Sequence, residues 1–447
     1  MKADPQPQPS APPRAGLSHA WRALRHRNFR LFFGGQSISL IGTWMTRVAT
    51  SWLVYRLTKS AVLLGTVGFA GQIPTFLLAP LAGVIVDRID RRQVLIWTQT
   101  LAMVQSLLLA WLTLSHRITI KQILLLSAFQ GLINAFDMPG RQSFMIRMVE
   151  DREDLSNAIA INSSMVNAAR LIGPSLAGIL IAATSEGWCF FVDGVSYIAV
   201  IVSLLMMRVS REQMHHHGVT MIEQLRQGWV YVAGSLPIRS ILLLFCVISL
   251  MGWPFMVLMP IFAAQVLGGG PHTLGFLMGA VGVGSLLSAI VLVFRRTVRG
   301  LLKIIPIGGA VFGVGLIAFG LSRNLWLSIL TLFLVGYGMM QGVTTSNTLL
   351  QTLVDEKMRG RVMSYYTMAF VGMAPFGSLL AGAMAHALGA PRTVIVSGIA
   401  CIVGALGFTS QMRAIRRDMR PIYERLGIIP TARVQLENTP LEETTDS

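Results

Sequence analysis

Charged residues are scarce in this sequence. Only 13% of the 447 residues are charged and 53% are hydrophobic, whereas soluble domains carry about 25% charged residues. The apolar residues form continuous runs rather than the alternating pattern of membrane β-barrels, and each run approaches the roughly 20 residues that cross a hydrocarbon layer as a helix. The composition therefore excludes a soluble globular chain and predicts an all-α integral membrane protein.

The usual signatures of catalysis and cofactor binding are also missing. No lysine follows a glycine, so the chain has no phosphate-binding loop of the G-x-x-x-x-G-K-[ST] type, and we do not expect ATP hydrolysis. Cys189, Cys246 and Cys401 lie far apart within apolar runs, as small buried hydrophobes do. The triplet His215–His217 offers metal ligands, but no further ligand accompanies it, which favours a solvated linker over a metal site. We therefore predict neither an enzyme nor a metal or cofactor protein.

Twelve segments have the length and composition of membrane-spanning helices. The predicted helices are 29–57, 61–86, 93–114, 121–138, 157–184, 188–207, 238–267, 273–294, 301–321, 325–350, 361–387 and 392–412. With the N-terminus in the cytoplasm, 29 basic residues fall on the inner side and 6 on the outer side. This asymmetry is the positive-inside pattern, so it predicts that both termini are cytoplasmic. It also accounts for the net charge of +17 without a nucleic-acid partner.

The chain divides into two similar halves. IGPSLAG at 172–178 aligns with FGSLLAG at 376–382, and MVEDRED at 148–154 aligns with LVDEKMR at 353–359. Duplicated halves of this kind are typical of transporters, with the binding site between the halves. The predicted organisation is a disordered tail at 1–28, a six-helix bundle at 29–208, a cytoplasmic linker with an amphipathic helix at 209–237, a second six-helix bundle at 238–412 and a tail at 413–447.

Two motifs resemble signatures of the major facilitator superfamily. GVIVDRIDRR resembles the loop 2–3 signature G-x-x-x-D-R-x-G-R-R/K, with Asp90 in the usual glycine position, and RLIGPSLAG is similar to the helix 5 motif of the exporters. The matching residues are Gly83, Asp87, Arg88, Arg91 and Arg92 in the loop, and Gly173, Pro174 and Gly178 in helix 5. The run from Asn28 to Ala61 also looks like the branch of siderophore exporters and macrolide or multidrug efflux pumps. One departure is that helix 4 lacks the arginine that many members carry three residues before Gln130-Gly131.

The resemblance implies that the charged loop works as a conformational latch. Asp87 is expected at the inner end of helix 2, facing the N-terminus of helix 11, where backbone N–H groups favour an anion. Arg359 or Arg361 is a charge partner on that helix. The contact is expected to form when the inner side closes and to break when it opens.

Four charged residues lie inside predicted spans, and all four belong to the first half. Intramembrane charges are costly and therefore mark functional positions. Asp193 and Asp137 are the candidates for proton coupling, against the alternatives that Asp193 pairs with an arginine and that Asp137 caps a bend before Pro139. Arg47 and Arg170 either contact substrate or bond to helix ends.

Polar residues recur at helical spacing on three helices that line the central cavity in the family. They are Gln36, Ser39, Thr43, Arg47 and Thr50 on helix 1; Ser127, Gln130, Asn134 and Asp137 on helix 4; and Tyr337, Gln341, Thr344 and Thr348 on helix 10. Helix 7 offers Trp253 and further aromatic residues instead. These stripes either line a cavity or hold helices together. A cavity of this composition suits a large, partly apolar, neutral or anionic substrate, with Arg47 and Arg170 as anion partners.

The leading hypothesis is a monomeric, proton-coupled exporter of drugs or siderophore-like metabolites in the bacterial inner membrane. The same features are compatible with an importer or facilitator of a small metabolite. They are also compatible with a receptor or an uncoupled lipid scramblase on a transporter scaffold, which needs no buried carboxylate.

Overall fold

The computed structural model describes residues 22–86, 89–149, 152–208, 221–293 and 300–425. Within these ranges the chain is helical and has no strand. The membrane helices are α1 (Arg27–Thr58), α2 (Ala61–Val86), α3 (Arg91–Leu114), α4 (Ile120–Met148), α5 (Arg152–Ala183), α6 (Glu186–Met206), α7 (Leu236–Val266), α8 (Pro271–Val293), α9 (Leu301–Leu321), α10 (Leu325–Leu353), α11 (Glu356–Thr367, Met368–Gly372 and Ala374–Leu388) and α12 (Ala390–Ser410). A linker helix (Met221–Gly234), a C-terminal helix (Met412–Arg425) and a 3-10 turn (Arg22–Arg25) complete the described chain.

The fold confirms the predicted twelve-helix membrane architecture. Eleven of the described helices are long and apolar enough to cross a bilayer. The remaining one, α1, has 32 residues and is long enough, but a polar stripe runs along it. α1 contacts α2, α4, α5, α6, α7 and α8. Because these neighbours enclose it, α1 exposes little surface to lipid and tolerates polar residues.

Short polar motifs fix where helices begin and end. Asp90 caps α3, since its carboxylate accepts a hydrogen bond of 2.9 Å from the backbone N–H of Arg92. The residue that departs from the family signature thus has a local structural role. The guanidinium of Arg92 donates to the carbonyls of Leu204 and Leu205, each at 2.8 Å, at the C-terminal end of α6. A cation there satisfies free carbonyls and complements the helix dipole.

Three helices differ from their predicted form. α4 continues through Pro139 to Met148 instead of ending near 138. Membrane helices tolerate proline because neighbouring groups compensate for the lost hydrogen bond. α7 and α11 contain π-helical segments, at Ile248–Gly252 and Phe262–Val266 in α7 and at Met368–Gly372 in α11. The hydroxyl of Ser249 donates to the carbonyl of Phe370, so two of these segments touch. The predicted C-terminal tail begins with the helix Met412–Arg425.

Each six-helix half packs in the same pattern. In the first half α1 packs on α5 and α6, α2 on α4, and α3 on α6; in the second half α7 packs on α11 and α12, α8 on α10, and α9 on α12. Glycines allow close contact, as at Gly42, where a Cβ atom would lie 2.9 Å from the Cα of Asp193. Small residues at such crossings are typical of membrane bundles.

The two halves meet along α5–α8 and α2–α11. We call the face where α1 begins and α12 ends the terminal face, and the opposite one the distal face. A Cβ on Gly178 would lie 2.8 Å from the carbonyl oxygen of Pro271, and a Cβ on Gly65 would lie 2.5 Å from that of Ser378. Both contacts lie near the distal face, whereas the terminal part of α11, Glu356–Thr367, packs on α7, α10 and the linker helix of its own half. Among the described residues, the close contacts between the two halves therefore lie towards the distal face.

Candidate transport site

Asp193 on α6 is buried among helices α1, α3 and α6, with 2% of its surface exposed. Its Oδ2 atom accepts hydrogen bonds of 2.9 Å from Thr46 on α1 and from Ser106 on α3. Its Oδ1 atom is buried and has no hydrogen-bond partner among the described residues. No cationic side chain of the described chain lies within 4 Å, so the alternative of an arginine pair is not what the structure has. Neutral hydroxyls alone hold this carboxylate, which suits a group that gains and loses a proton.

Asp137 on α4 is buried too, but it is fully paired. Its Oδ1 accepts from Thr98 at 3.0 Å and from Gln99 at 2.7 Å, and its Oδ2 accepts from Arg141 at 2.5 Å. The partners come from α3 and from the next turn of α4. A cation and two further donors thus satisfy both oxygens of this carboxylate. Asp137 therefore forms an ion pair in this structure, and its role in proton coupling stays a prediction.

Arg47 on α1 and Arg170 on α5 approach the same aromatic ring. The guanidinium carbon of Arg47 lies 4.6 Å from the ring centre of Trp44, and that of Arg170 lies 5.2 Å from it. Arg47 is exposed although α1 is enclosed by other helices, and the Nε atom of Arg170 is buried without a hydrogen-bond partner. Cation–π contacts stabilise both positions. Neither guanidinium has an acidic partner within 4 Å among the described residues.

The remaining polar positions of α1 and α4 divide between core and partly exposed surface. Gln36 is buried, at 2% exposure, so it faces the bundle core rather than an open surface. Thr43 is half-buried. On α4, Gln130 and Asn134 are half-buried and joined by a hydrogen bond of 3.2 Å.

The second half contributes α7 and α10. On α10 the amide of Gln341 donates to the hydroxyl of Tyr337 at 3.1 Å, while the other amide atom of Gln341 and the hydroxyl of Thr344 have no partner among the described residues. Trp253 on α7 is half-buried and packs edge-on against Phe370 at 5.3 Å. This half supplies aromatic and uncharged polar groups, and it has no acid in the middle of any helix.

The helix 5 motif joins three helices. A Cβ on Gly173 would lie 2.5 Å from the Cβ of Trp44, so α5 and α1 touch beside the two arginines. One residue on, the carbonyl oxygen of Pro174 would lie 2.6 Å from a Cβ on Gly275 of α8, and Gly178 packs against the same helix. The motif therefore connects the arginine pair to the closed distal contact.

The latch residues are only partly described. Asp87 and Arg88 lie outside the described residues. Gly83 has open space where a Cβ would stand. Arg359 is exposed, and Arg361 donates to Gln227 of the linker helix at 2.6 Å. In this structure Arg361 thus contacts the linker helix, and the latch remains a prediction.

Several contact residues were not identified from the sequence. Thr46 and Ser106 hold Asp193, Trp44 holds the arginines, and Arg141 pairs with Asp137. Thr46 precedes Arg47 directly, and the polar residues Gln99 and Ser106 recur seven positions apart in a predicted span. Residues seven positions apart lie on one face of a helix, so this spacing predicts that α3 makes buried polar contacts on that face.

A further charged cluster lies at the terminal face. Asp154 on α5 pairs with Arg22 at 2.6 Å and accepts a hydrogen bond from His26 at 3.0 Å. The hydrogen bond with His26, together with Arg22, holds the pKa of Asp154 below its usual value. The backbone N–H of Ala23 donates to Asn157, also on α5. The segment before α1 is therefore fastened to the start of α5.

The described residues form two six-helix bundles with buried charges in the first, an architecture typical of membrane transporters. Comparison with known proteins agrees with this class. The family model described as "transmembrane secretion effector" matches residues 18–434. The chain therefore belongs to this family of the major facilitator superfamily, as a transporter and not an enzyme.

Relatives and solved structures extend the comparison. The staphyloferrin A transporter of Staphylococcus aureus is 26% identical, over 83% of this chain and 93% of that protein. Macrolide efflux protein A of Streptococcus pyogenes is 19% identical, over 88% and 99%. The crystal structure of a bacterial homologue of the human lysosomal transporter Spinster, in an inward-facing and unoccupied conformation, matches with a TM-score of 0.69 at 13% identity, over 90% of this chain and 99% of that one. That likeness concerns the fold.

Proposed function

We propose that this chain exports small amphipathic molecules, a drug or a siderophore-like metabolite, from a bacterial cytoplasm in exchange for protons. In this proposal the terminal face is cytoplasmic, as the excess of basic residues on that side favours. The described conformation then binds substrate from the cytoplasm. The terminal face closes, the distal face opens, and the substrate is released on the outer side of the membrane. The name of one relative, macrolide efflux protein A, supports export, and the name of the other, staphyloferrin A transporter, supports transport of a small molecule.

The observation that carries proton coupling is the state of Asp193. Its carboxylate has one oxygen without a donor and no cationic partner among the described residues. Burial disfavours the charged form, so such a group takes up a proton readily. Thr46, which donates to Asp193, stands next to Arg47 on α1. Protonation of Asp193 weakens this contact and frees α1 to move, which ties proton binding to the cavity wall.

The test compares Asp193→Asn with Asp137→Asn in proteoliposomes with an imposed proton gradient. We expect Asp193→Asn to abolish the response of transport to the gradient while substrate-for-substrate exchange continues, because asparagine keeps the shape but cannot titrate. Glu186→Gln is the matched control, because Glu186 is a buried acid on the same helix that is paired with Arg56 at 2.7 Å. Unchanged gradient-driven efflux in Asp193→Asn contradicts the coupling role. Transport without any response to the gradient in the unmodified protein favours a facilitator or scramblase.

A further inference from the structure

Arg47 and Arg170 have no counter-anion among the residues that the structure describes. Both guanidinium carbons lie within 5.2 Å of the ring centre of Trp44, so they are at most about 10 Å apart. Among the residues that the structure describes, no carboxylate lies within 4 Å of either one, and neither donates a hydrogen bond to a carbonyl. The interpretation that these arginines bond to helix ends is therefore not what the described contacts support.

Charged side chains within a membrane bundle usually pair with one another or with backbone carbonyls. Arg56 on the same helix binds Glu186 with two hydrogen bonds of 2.7 and 3.2 Å, and Arg141 binds Asp137. The chain therefore supplies partners to cations elsewhere in the first half. Two adjacent cations that share one ring repel each other and carry many unused N–H donors. A bound anion would therefore be stabilised here, because no acid among the described residues neutralises the two cations.

The pair lies where the two halves separate. A Cβ on Gly282 of α8 would meet the Cα of Leu171 at 2.9 Å and the carbonyl oxygen of Arg170 at 3.2 Å. From this level to the distal face α5 and α8 stay in contact, while Ile159, Ser163 and Ser164 on the terminal side of α5 are exposed. Arg170 therefore lies at the level where the close contact between α5 and α8 begins, and the exposed Arg47 lies within about 10 Å of it.

We propose that Arg47 and Arg170 form the substrate anion site, and that the transported molecule is an amphipathic organic anion with at least two carboxylate groups. This inference rests on the proposed transport function and specifies its substrate class. One carboxylate engages each guanidinium, since guanidinium groups match carboxylates with two parallel hydrogen bonds. The aromatic and uncharged polar surface of α7 and α10 faces the apolar part of the molecule. A cationic drug is disfavoured here because it meets two like charges.

The experiment measures binding, without transport, to the full chain in nanodiscs. The probes are calcein and rhodamine 6G, two fluorescent dyes that share a xanthene ring system but differ in charge, since calcein carries several carboxylates and rhodamine 6G is a cation. Fluorescence anisotropy gives the affinity of each dye. We expect calcein to bind more tightly than rhodamine 6G, and Arg47→Gln and Arg170→Gln each to weaken calcein at least tenfold without weakening rhodamine 6G.

The controls separate charge from folding. Arg56→Gln removes a paired arginine of α1 and is expected to leave calcein affinity within twofold. Arg47→Lys and Arg170→Lys keep the charge and are expected to retain more affinity than the glutamine variants. Preferred binding of rhodamine 6G by the unmodified protein overturns the proposal, and so does unchanged calcein affinity in both glutamine variants. We expect Asp193→Asn to retain calcein binding. This result separates the anion site from the coupling site, because the proposed substrate class and the proposed proton coupling can then be refuted independently.

Discussion

Alanine in place of Gly178 provides a direct test of the distal closure. Its added Cβ would lie 2.8 Å from the carbonyl oxygen of Pro271 and 3.0 Å from the Cα of Gly275, both backbone atoms of α8. Because backbone cannot swing aside as a side chain does, α5 and α8 must move apart by several tenths of an ångström. Overpacking of this kind costs about 1–3 kcal/mol. That cost falls on the distal-closed state alone, so it shifts the balance towards the distal-open state roughly 5- to 150-fold.

The assay is pulsed electron paramagnetic resonance between the two halves. Spin labels are attached to cysteines that replace Thr184 and Arg323, two exposed distal residues, after the three native cysteines have been substituted. We expect Gly178→Ala to enlarge the fraction of long distances. Gly407→Ala is the matched control, because a Cβ there meets open space. Identical distance distributions in both variants and the unmodified protein refute the packing argument.

Three further predictions concern charge. Arg141→Gln leaves the buried Asp137 without its cation and should reduce the free energy of unfolding by about 3–5 kcal/mol. A thermal melt in detergent should show a clearly lower melting temperature for Arg141→Gln, and the double variant with Asp137→Asn should largely restore it. An unchanged melting temperature contradicts the pairing. The pKa of Asp154 is lowered in the folded protein, so its contribution to stability is complete above the unfolded pKa of 3.8 and is lost as the pH falls through the lower folded pKa. Asp154→Asn should therefore reduce the melting temperature at pH 6, and the melting temperatures of the variant and the unmodified protein should become equal in strong acid. A constant difference in melting temperature across that pH range refutes this reasoning. Export of an anion with two negative charges against one proton moves three charges, worth about 7 kcal/mol at 100 mV, and a more highly charged anion such as calcein moves more. A valinomycin-imposed potential, negative inside, should therefore accelerate calcein export, and indifference to the potential contradicts the combined scheme.

Much of the fold was accessible from the sequence because membrane spans depend on local composition. Every described membrane helix corresponds to a hydrophobic run, and the duplicated motifs mark equivalent helices. The irregular features were less accessible. The π segments of α7 and α11 depend on how those two helices pack, and the passage of α4 through Pro139 depends on its neighbours. Neither is encoded in a short window of residues.

The candidate site shows the same division. The four intramembrane charges stand out in the sequence because such residues are rare. Their separate roles depend on partners far along the chain: Asp193 is held by residues 147 and 87 positions away. The pairing of Asp137 with Arg141 spans one helical turn and was within reach of the sequence. Which face of the molecule is closed depends on the packing of the two halves and could not be read from residue types.

The placement of every mid-membrane charge in the first half has a consequence for how such proteins diversify. In the scheme proposed above, proton coupling and the arginine site belong to α1–α6, whereas α7–α12 contribute aromatic and uncharged polar residues. Substitutions in the second half can therefore change the range of substrates that bind without affecting proton coupling in the first half. A chimaera that joins this first half to the second half of a related transporter should keep its energy source and acquire a different range of cargo.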